Sequence, residues 1–455
     1  MESRDGRKNG KRILIDVLDG RKAERVPWVP FAGVHAGKLL NYNAREILNN
    51  STKLNKALLE VKKMYEPDGM PVVFDLQLEA EVLGCELRWD EKSPPMVKTH
   101  PLSKKLIPSR IPDRTEGRYP VVLETMRKLR LSIGDEVALF GLICGPFTLA
   151  SHLRGTQFFM DLIEDSNYTE KLLKYTTNVV KSITDFYLEE KMDVIAIVDP
   201  LVSQISPKHF RQHLNWHFKE LFKHIRERQT FSAFFVCGDA TKNIEPMCDT
   251  LPDAIFVDEN VDIINAKKIT SKRNIIIGGN IPLTTTMMYG TQMDNMKYVI
   301  NLIDSAGTKN FILAPGCDMP YDIPPENVVA AVQAVKHTDD VRNILKNYKR
   351  SEPLIDAKLP NYAELKKPLV EVFTIDSSTC AACTYMYSTA MLAKKRFGDR
   401  VDVVEYKSTT LEGMARAKKL NIVKLPSILI NGQLCFSSII PDEKELFEKI
   451  EEFIK

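Results

Sequence analysis

The stretch "VPWVPFAG", residues 26–33, decides the fold. Its apolar side chains and its stop at glycine suit a strand, but two prolines deprive it of backbone N–H groups that a strand ladder needs. Counted as a strand, it is the first of eight. The others are "PVVFD" (71–75), "VALFGLI" (137–143), "VIAIVD" (194–199), "AFFVC" (233–237), "AIFVD" (254–258), "NIIIGGN" (274–280) and "FILAP" (311–315). Stretches with helical spacing separate most of them, among them "FFMDLIEDSNYTEKLLKYTTNVVKSITDFYLEEK" and "PKHFRQHLNWHFKELFKHIRER". Continuous apolar strands alternating with amphipathic helices predict an α/β fold with a parallel sheet covered by helices. Eight units predict a closed (β/α)8 TIM barrel over residues 1–345. Without the first run, the pattern suits an open doubly wound sheet.

A second pattern follows the polar, proline-flanked segment "KLPNYAELKKPL", and residues 346–366 read as a linker. From 367 to 455 the order is strand, helix, strand, helix, two strands around Asn431 and Gly432, and a final helix. Cys380 and Cys383 form a Cys-x-x-Cys pair where the first of these strands meets its helix. This looks like a small thioredoxin or glutaredoxin fold, in which Pro426 takes the place of the cis-proline beside the cysteines.

The 455 residues exceed what one hydrophobic core serves and allow two or three domains. Charged residues make up 27% and hydrophobic residues 44%, the profile of a globular protein. Basic and acidic residues number 63 and 60 and form no long single-sign block, which argues against nucleic acid as a partner. The N-terminus lacks the apolar segment of a secretory signal, and "VALFGLICGPFTLA" is too short to span a bilayer. The expectation is a cytoplasmic protein with no membrane partner and with its eight cysteines outside any dense disulfide framework.

In a parallel barrel every strand ends at the same face, where catalytic groups gather. The run ends supply His35, Asp75, Cys144 with Gly145 and Pro146, Asp199, Cys237 with Asp239, Asp258 with Glu259, Asn280 and Cys317. Cys237 ends the fifth run and Cys317 follows the eighth, so both can face the barrel mouth although 80 residues separate them. Two thiolates and a carboxylate suit zinc; taken singly, each cysteine also reads as a buried core residue. His35 is a candidate for orienting substrate or cofactor, or a structural histidine. Asp75, Asp199 and Asp239 either position polar groups or cap helices.

The motifs "RVPWVPF", "EAEVLGCELRW", "GPFTLASHLRGTQFFMDLIED", "AIVDPLVSQISPKHF", "VCGDATKNIEPM", "FVDENVDI", "GGNI" and "FILAPGCDMPYDIPPENV" occur in this order. Through them, residues from about 10 to 340 resemble the uroporphyrinogen decarboxylase superfamily, and within it the methylcobamide:coenzyme M methyltransferases and their bacterial relatives. The resemblance implies methyl transfer between a corrinoid on a partner protein and a small-molecule thiol or related acceptor. It also implies a zinc ion held by a His-x-Cys pair and a later cysteine. By position, Cys237 and Cys317 match those cysteines, with Asp258 or Glu259 to complete the set, but Phe235 stands where the histidine belongs. Three outcomes follow: zinc retained on the remaining ligands, zinc recruited with substrate, or a site without metal. The segment "PFAGVHAGKLL" lacks the arginines with which uroporphyrinogen decarboxylases grip their substrate, so porphyrinogen decarboxylation is not expected.

A helix N-terminus stabilises a thiolate, which predicts Cys380 as a redox nucleophile and Cys383 as its resolving thiol. The pair either keeps Cys237 and Cys317 reduced or reduces a disulfide in the acceptor. Two rival functions remain: a thiol-disulfide oxidoreductase with a substrate-binding barrel, and a non-enzymatic corrinoid- or tetrapyrrole-binding protein. His209, His213 and His217 share one helical face, but interleaved Phe210, Leu214, Trp216 and Phe218 favour a solvated or subunit-facing surface over a metal site.

Overall fold

The structure, a computed structural model, describes residues 9–349, 357–377 and 380–454. Strand β1 (Gly69–Pro71) is followed by a short antiparallel pair, β2 (Leu87–Arg88) and β3 (Met96–Val97). Then come β4 (Ala138–Cys144), β5 (Val194–Val198), β6 (Phe231–Val236), β7 (Ala254–Val257), β8 (Ile276–Ile281) and β9 (Phe311–Pro315). The barrel sheet is parallel, in the order β1-β4-β5-β6-β7-β8-β9.

The segment at 26–33 is not a full strand; a single parallel bridge, Trp28 to Leu313, is all the ladder it makes. Pro27 and Pro30 have no N–H to contribute. The remaining groups still reach both edges of the sheet. Val29 N–H donates to the Leu313 carbonyl and Leu313 N–H to that of Pro27, each at 2.9 Å. On the other side Asp68 N–H donates to the Trp28 carbonyl at 2.9 Å. The Asp68 carboxylate fixes the segment further, accepting from Trp28 N–H at 2.8 Å while pairing with Arg25. The barrel is thus closed by a proline-interrupted eighth stave.

Side-chain alternation sorts the strands into an inside and an outside. Phe140 and Leu142 of β4, Val194 and Val198 of β5, Phe235 of β6 and Phe256 of β7 fill the interior. The helix Gly10–Leu18 supplies Ile13, Leu14 and Val17 to the same core. The intervening residues, such as Ile195, Phe234 and Ile255, face the surrounding helices.

The histidine-rich stretch departs from the expected open surface. His213 and His217 are buried, and His217 Nδ1 lies 2.8 Å from the Thr177 hydroxyl on the neighbouring helix Ser166–Glu189. A π-helical turn, Phe210–Leu214, rotates the helical faces relative to a regular helix and leaves Trp216 exposed.

After the helix Thr338–Leu345, a second sheet is built from β10 (Leu369–Thr374), β11 (Asp402–Lys407), β12 (Ser427–Ile430) and β13 (Gln433–Ser437). Its order is β11-β10-β12-β13, with β10 and β11 parallel and the other pairs antiparallel. The helices Ala381–Phe397, Leu411–Lys419 and Glu443–Glu451 pack on it around Val370, Val372, Met386, Ile428 and Leu446. Part of the expected linker, 350–356, lies outside the described residues. The rest of its C-terminal half joins the second sheet's domain: Tyr362 donates to Glu371 at 2.8 Å, and Arg416 to the Lys358 carbonyl at 3.0 Å.

The two units touch along the barrel mouth. Asp239 pairs with Lys424, Tyr289 donates to the Thr409 carbonyl, and Ile440 N–H donates to the Gln204 side chain at 3.2 Å. Tyr385 is buried in the barrel's outer core, its ring 6.1 Å from that of Phe159.

Candidate active site

At the C-terminal ends of the barrel strands lies a cavity of about 380 Å³. Its floor and walls include Phe74, His152, Cys237, Cys317 and Asp318, and its roof comes from the second domain through Asp376, Cys380, Lys407 and Pro426.

Cys237, one residue beyond β6, and Cys317, two beyond β9, are joined in a disulfide with Cα atoms 6.1 Å apart. The turn after Cys237 needs a glycine: Gly238 has φ +98°, and a Cβ there would press on Ser203. Gly238 N–H donates to the Asp258 carboxylate, which also accepts from Asn260 N–H at 2.9 Å and Asn260 Nδ2 at 3.0 Å. Burial pushes Asp258 up to about 6. Burial and the neighbouring Asp258 charge push Glu259 up to about 8; one of its oxygens accepts from Leu283 N–H at 3.3 Å, and the other is buried without a partner.

Several acids and polar groups expected at the mouth are turned into the framework instead. Asp199 accepts from Phe147 N–H (2.9 Å), Thr148 N–H (3.0 Å) and the Thr148 hydroxyl (2.5 Å), closing the N-terminus of the helix Pro146–Arg154. Its burial raises it to about 7 despite those donors. Asp75 pairs with buried Arg118 at 2.5 Å and accepts from Gln77 N–H. Asn280 donates to the carbonyls of Asp258 and Val261, both at 2.8 Å, and so braces the loop after β7. Asp239 accepts from the Thr241 hydroxyl and holds Lys424. His35 is wholly buried, Nε2 2.7 Å from the Tyr65 hydroxyl and Nδ1 3.2 Å from the Tyr321 carbonyl. Cys144 is buried too, its thiol pushed up by desolvation.

Asp318 adjoins Cys317 and ends no apolar run. It lines the cavity, accepts from Gly33 N–H at 2.9 Å, and is pushed well above the usual carboxylate range by burial. Its signal was position alone, in "APGCDMP".

On the roof, Cys380 is the N-cap of the helix Ala381–Phe397, and its sulfur accepts from Cys383 N–H at 3.3 Å. The approach to it is fixed by Glu405, which accepts from Ser377 N–H at 2.9 Å and from the Ser377 hydroxyl at 2.8 Å. Cys383 lies below Cys380, fully buried, its thiol pushed well up by burial and by the Cys380 contact. The Leu425–Pro426 peptide is cis. Both thiols are free.

The profile of the family described as uroporphyrinogen decarboxylase matches residues 9–338. The chain belongs to the uroporphyrinogen decarboxylase family. The match stops before the second sheet begins at Leu369. Within the family, the chain is 30% identical over 334 residues to methylcobamide:CoM methyltransferase MtaA of Methanosarcina barkeri, spanning 71% of this chain and 96% of that protein. It is 28% identical over 360 residues to a methylated-thiol–coenzyme M methyltransferase of Methanosarcina mazei, spanning 74% and 92%. A solved methyltransferase structure from Methanosarcina mazei superposes with a TM-score of 0.68 at 24% identity, covering 73% of this chain and all of that one, which shows a common fold.

The donors as arranged do not fit zinc. The two sulfurs are bonded to each other, and a disulfide sulfur is a poor ligand compared with a thiolate. Position 235 is a phenylalanine inside the barrel, its ring 4.8 Å from Phe31 and 5.7 Å from Phe74 and Phe256. Among the described residues, no group of three or more His, Cys, Asp or Glu side chains is arranged to hold a metal ion. Among them also, no helix is long and apolar enough to cross a membrane.

Proposed function

We propose that this chain is a corrinoid-dependent methyltransferase, moving a methyl group between a methylated corrinoid on a partner protein and a small thiol bound at the barrel mouth. The observation that carries this is the meeting of Cys237 and Cys317 beside the cavity at the strand ends. The 30% identity to a relative named methylcobamide:CoM methyltransferase, within the family to which the chain belongs, supports it. A cavity of about 380 Å³ is in the size range of small-molecule sites, which suits a small thiol as its occupant.

In this reading the acceptor thiol releases its proton to solvent and its sulfur attacks the methyl carbon in line. The carbon–cobalt bond breaks with the electron pair remaining on cobalt. The role of this chain is to hold the thiol in the cavity, with Cys237 and Cys317 beside it. Neither cysteine can act as nucleophile or ligand until their bond is reduced. Mixing the reduced full chain with methylcobalamin and candidate thiols, coenzyme M among them, should produce the cob(I)alamin absorbance, at a rate cut at least tenfold in Cys237→Ser. No cob(I)alamin with any thiol would end the proposal.

A further inference from the structure

We propose that the C-terminal pair, Cys380 and Cys383, reduces the Cys237–Cys317 disulfide directly across the barrel-mouth cavity, so that the chain carries a dithiol–disulfide exchange activity for its own site. This goes beyond methyl transfer and does not depend on it.

Three observations point to it. First, the two pairs stand in complementary states around one space: the barrel pair is bonded, the C-terminal pair is free, and Cys237, Cys317 and Cys380 all line the same cavity. Second, the C-terminal pair is asymmetric as exchange requires. Cys380 is partly exposed at a helix N-cap with an N–H donated to its sulfur, while Cys383 is sealed beneath it. Third, the two domains are clasped beside the site. Asp239, two residues from Cys237, pairs with Lys424, two residues from Pro426, and Tyr289 holds Thr409 on the roof. Tethering converts the encounter of the two pairs into an intramolecular one, with an effective concentration in the millimolar range.

The exchange balances within the chain. The Cys380 thiolate attacks one sulfur of the barrel disulfide, and the other sulfur leaves as a thiolate and takes up a proton. Cys383 then gives up its proton and attacks the Cys380 sulfur, expelling the second barrel sulfur, which is protonated in turn. One disulfide breaks and one forms: the barrel pair gains two electrons and two protons, and the C-terminal pair loses them. For repeated turnover, an external dithiol reductant restores Cys380 and Cys383.

The test uses the full chain with its barrel disulfide formed. In Cys383→Ser the second step is blocked, so quenching with an alkylating agent and mapping peptides without reduction should recover a Cys380 peptide joined to that of Cys237 or Cys317, with the other barrel cysteine alkylated. An intact barrel disulfide beside alkylated Cys380 would overturn the proposal. Independently, dithiothreitol should reduce the barrel disulfide at least tenfold more slowly in Cys380→Ser than in the wild-type chain; equal rates would overturn it. Both readouts are thiol states, so a failure here is distinct from a failure of methyl transfer.

Discussion

His35 is neutral in the folded protein. Its Nδ1 faces a carbonyl and must carry the proton, which leaves Nε2 to accept from the Tyr65 hydroxyl. Burial draws its pKa down from 6.5 to about 4. The unfolded chain therefore binds a proton more readily than the folded one, and stability is lost as the pH falls from about 6.5 towards 4. Between pH 7 and pH 5 this one residue should remove about 2 kcal/mol. Denaturant midpoints at the two pH values, in wild type and His35→Gln, check this: the fall should be smaller in the variant. Asp199 titrates with the opposite sign, its raised pKa favouring the folded state at low pH, so only the difference between the two proteins isolates His35. At this scale the sequence places these residues at strand ends but does not fix the direction in which each side chain points. Asp75, Asp199 and Asn280 sit at strand ends, yet each has a backbone N–H, a carbonyl or an arginine to satisfy nearer than the cavity.

Among the elements, the 26–31 segment shows most about how the barrel closes. Its prolines limit it to one bridge, and the stave is held instead by the fully buried Trp28, whose indole N–H donates to the Tyr65 carbonyl at 3.2 Å, and by Asp68 beneath it. Trp28→Ala should cost about 3–5 kcal/mol, the usual range for deleting a large buried aromatic, measured by equilibrium denaturation. A surface-like loss of under ~1 kcal/mol would mean that the segment does not close the sheet. The strands β4 to β9 lie within two residues of the expected runs because both of their faces are apolar, a pattern with few alternatives, whereas the run 71–75 shares only Pro71 with β1. The histidine-bearing helix was less legible: a π turn breaks the 3.6-residue period on which assignment of its faces relied.

For the whole molecule, the Cys237–Cys317 bond links residues 80 apart in sequence, and so constrains the unfolded chain strongly. Loop-closure entropy for a span of this length amounts to about 4–5 kcal/mol as an upper figure. Cys317→Ser should lower the denaturation midpoint relative to the oxidised wild type, and wild type in reductant should fall to a similar value. Identical midpoints for the oxidised and reduced wild-type chain would show that the bond does not stabilise the fold.

From the sequence alone came the alternation of apolar strands and amphipathic helices, the second unit with its Cys-x-x-Cys pair, and the prospect of two remote cysteines at one rim. These rest on periodicity and chain order, which are local and additive along the polypeptide. Only the tertiary structure decided that the two rim sulfurs are bonded to each other, that Phe235 belongs to an aromatic core, and that Cys380 shares a cavity with the barrel disulfide. Such facts depend on which surfaces of the two units pack together and on which hydrogen-bond partner lies nearest in space, and neither is encoded at any fixed spacing along the chain.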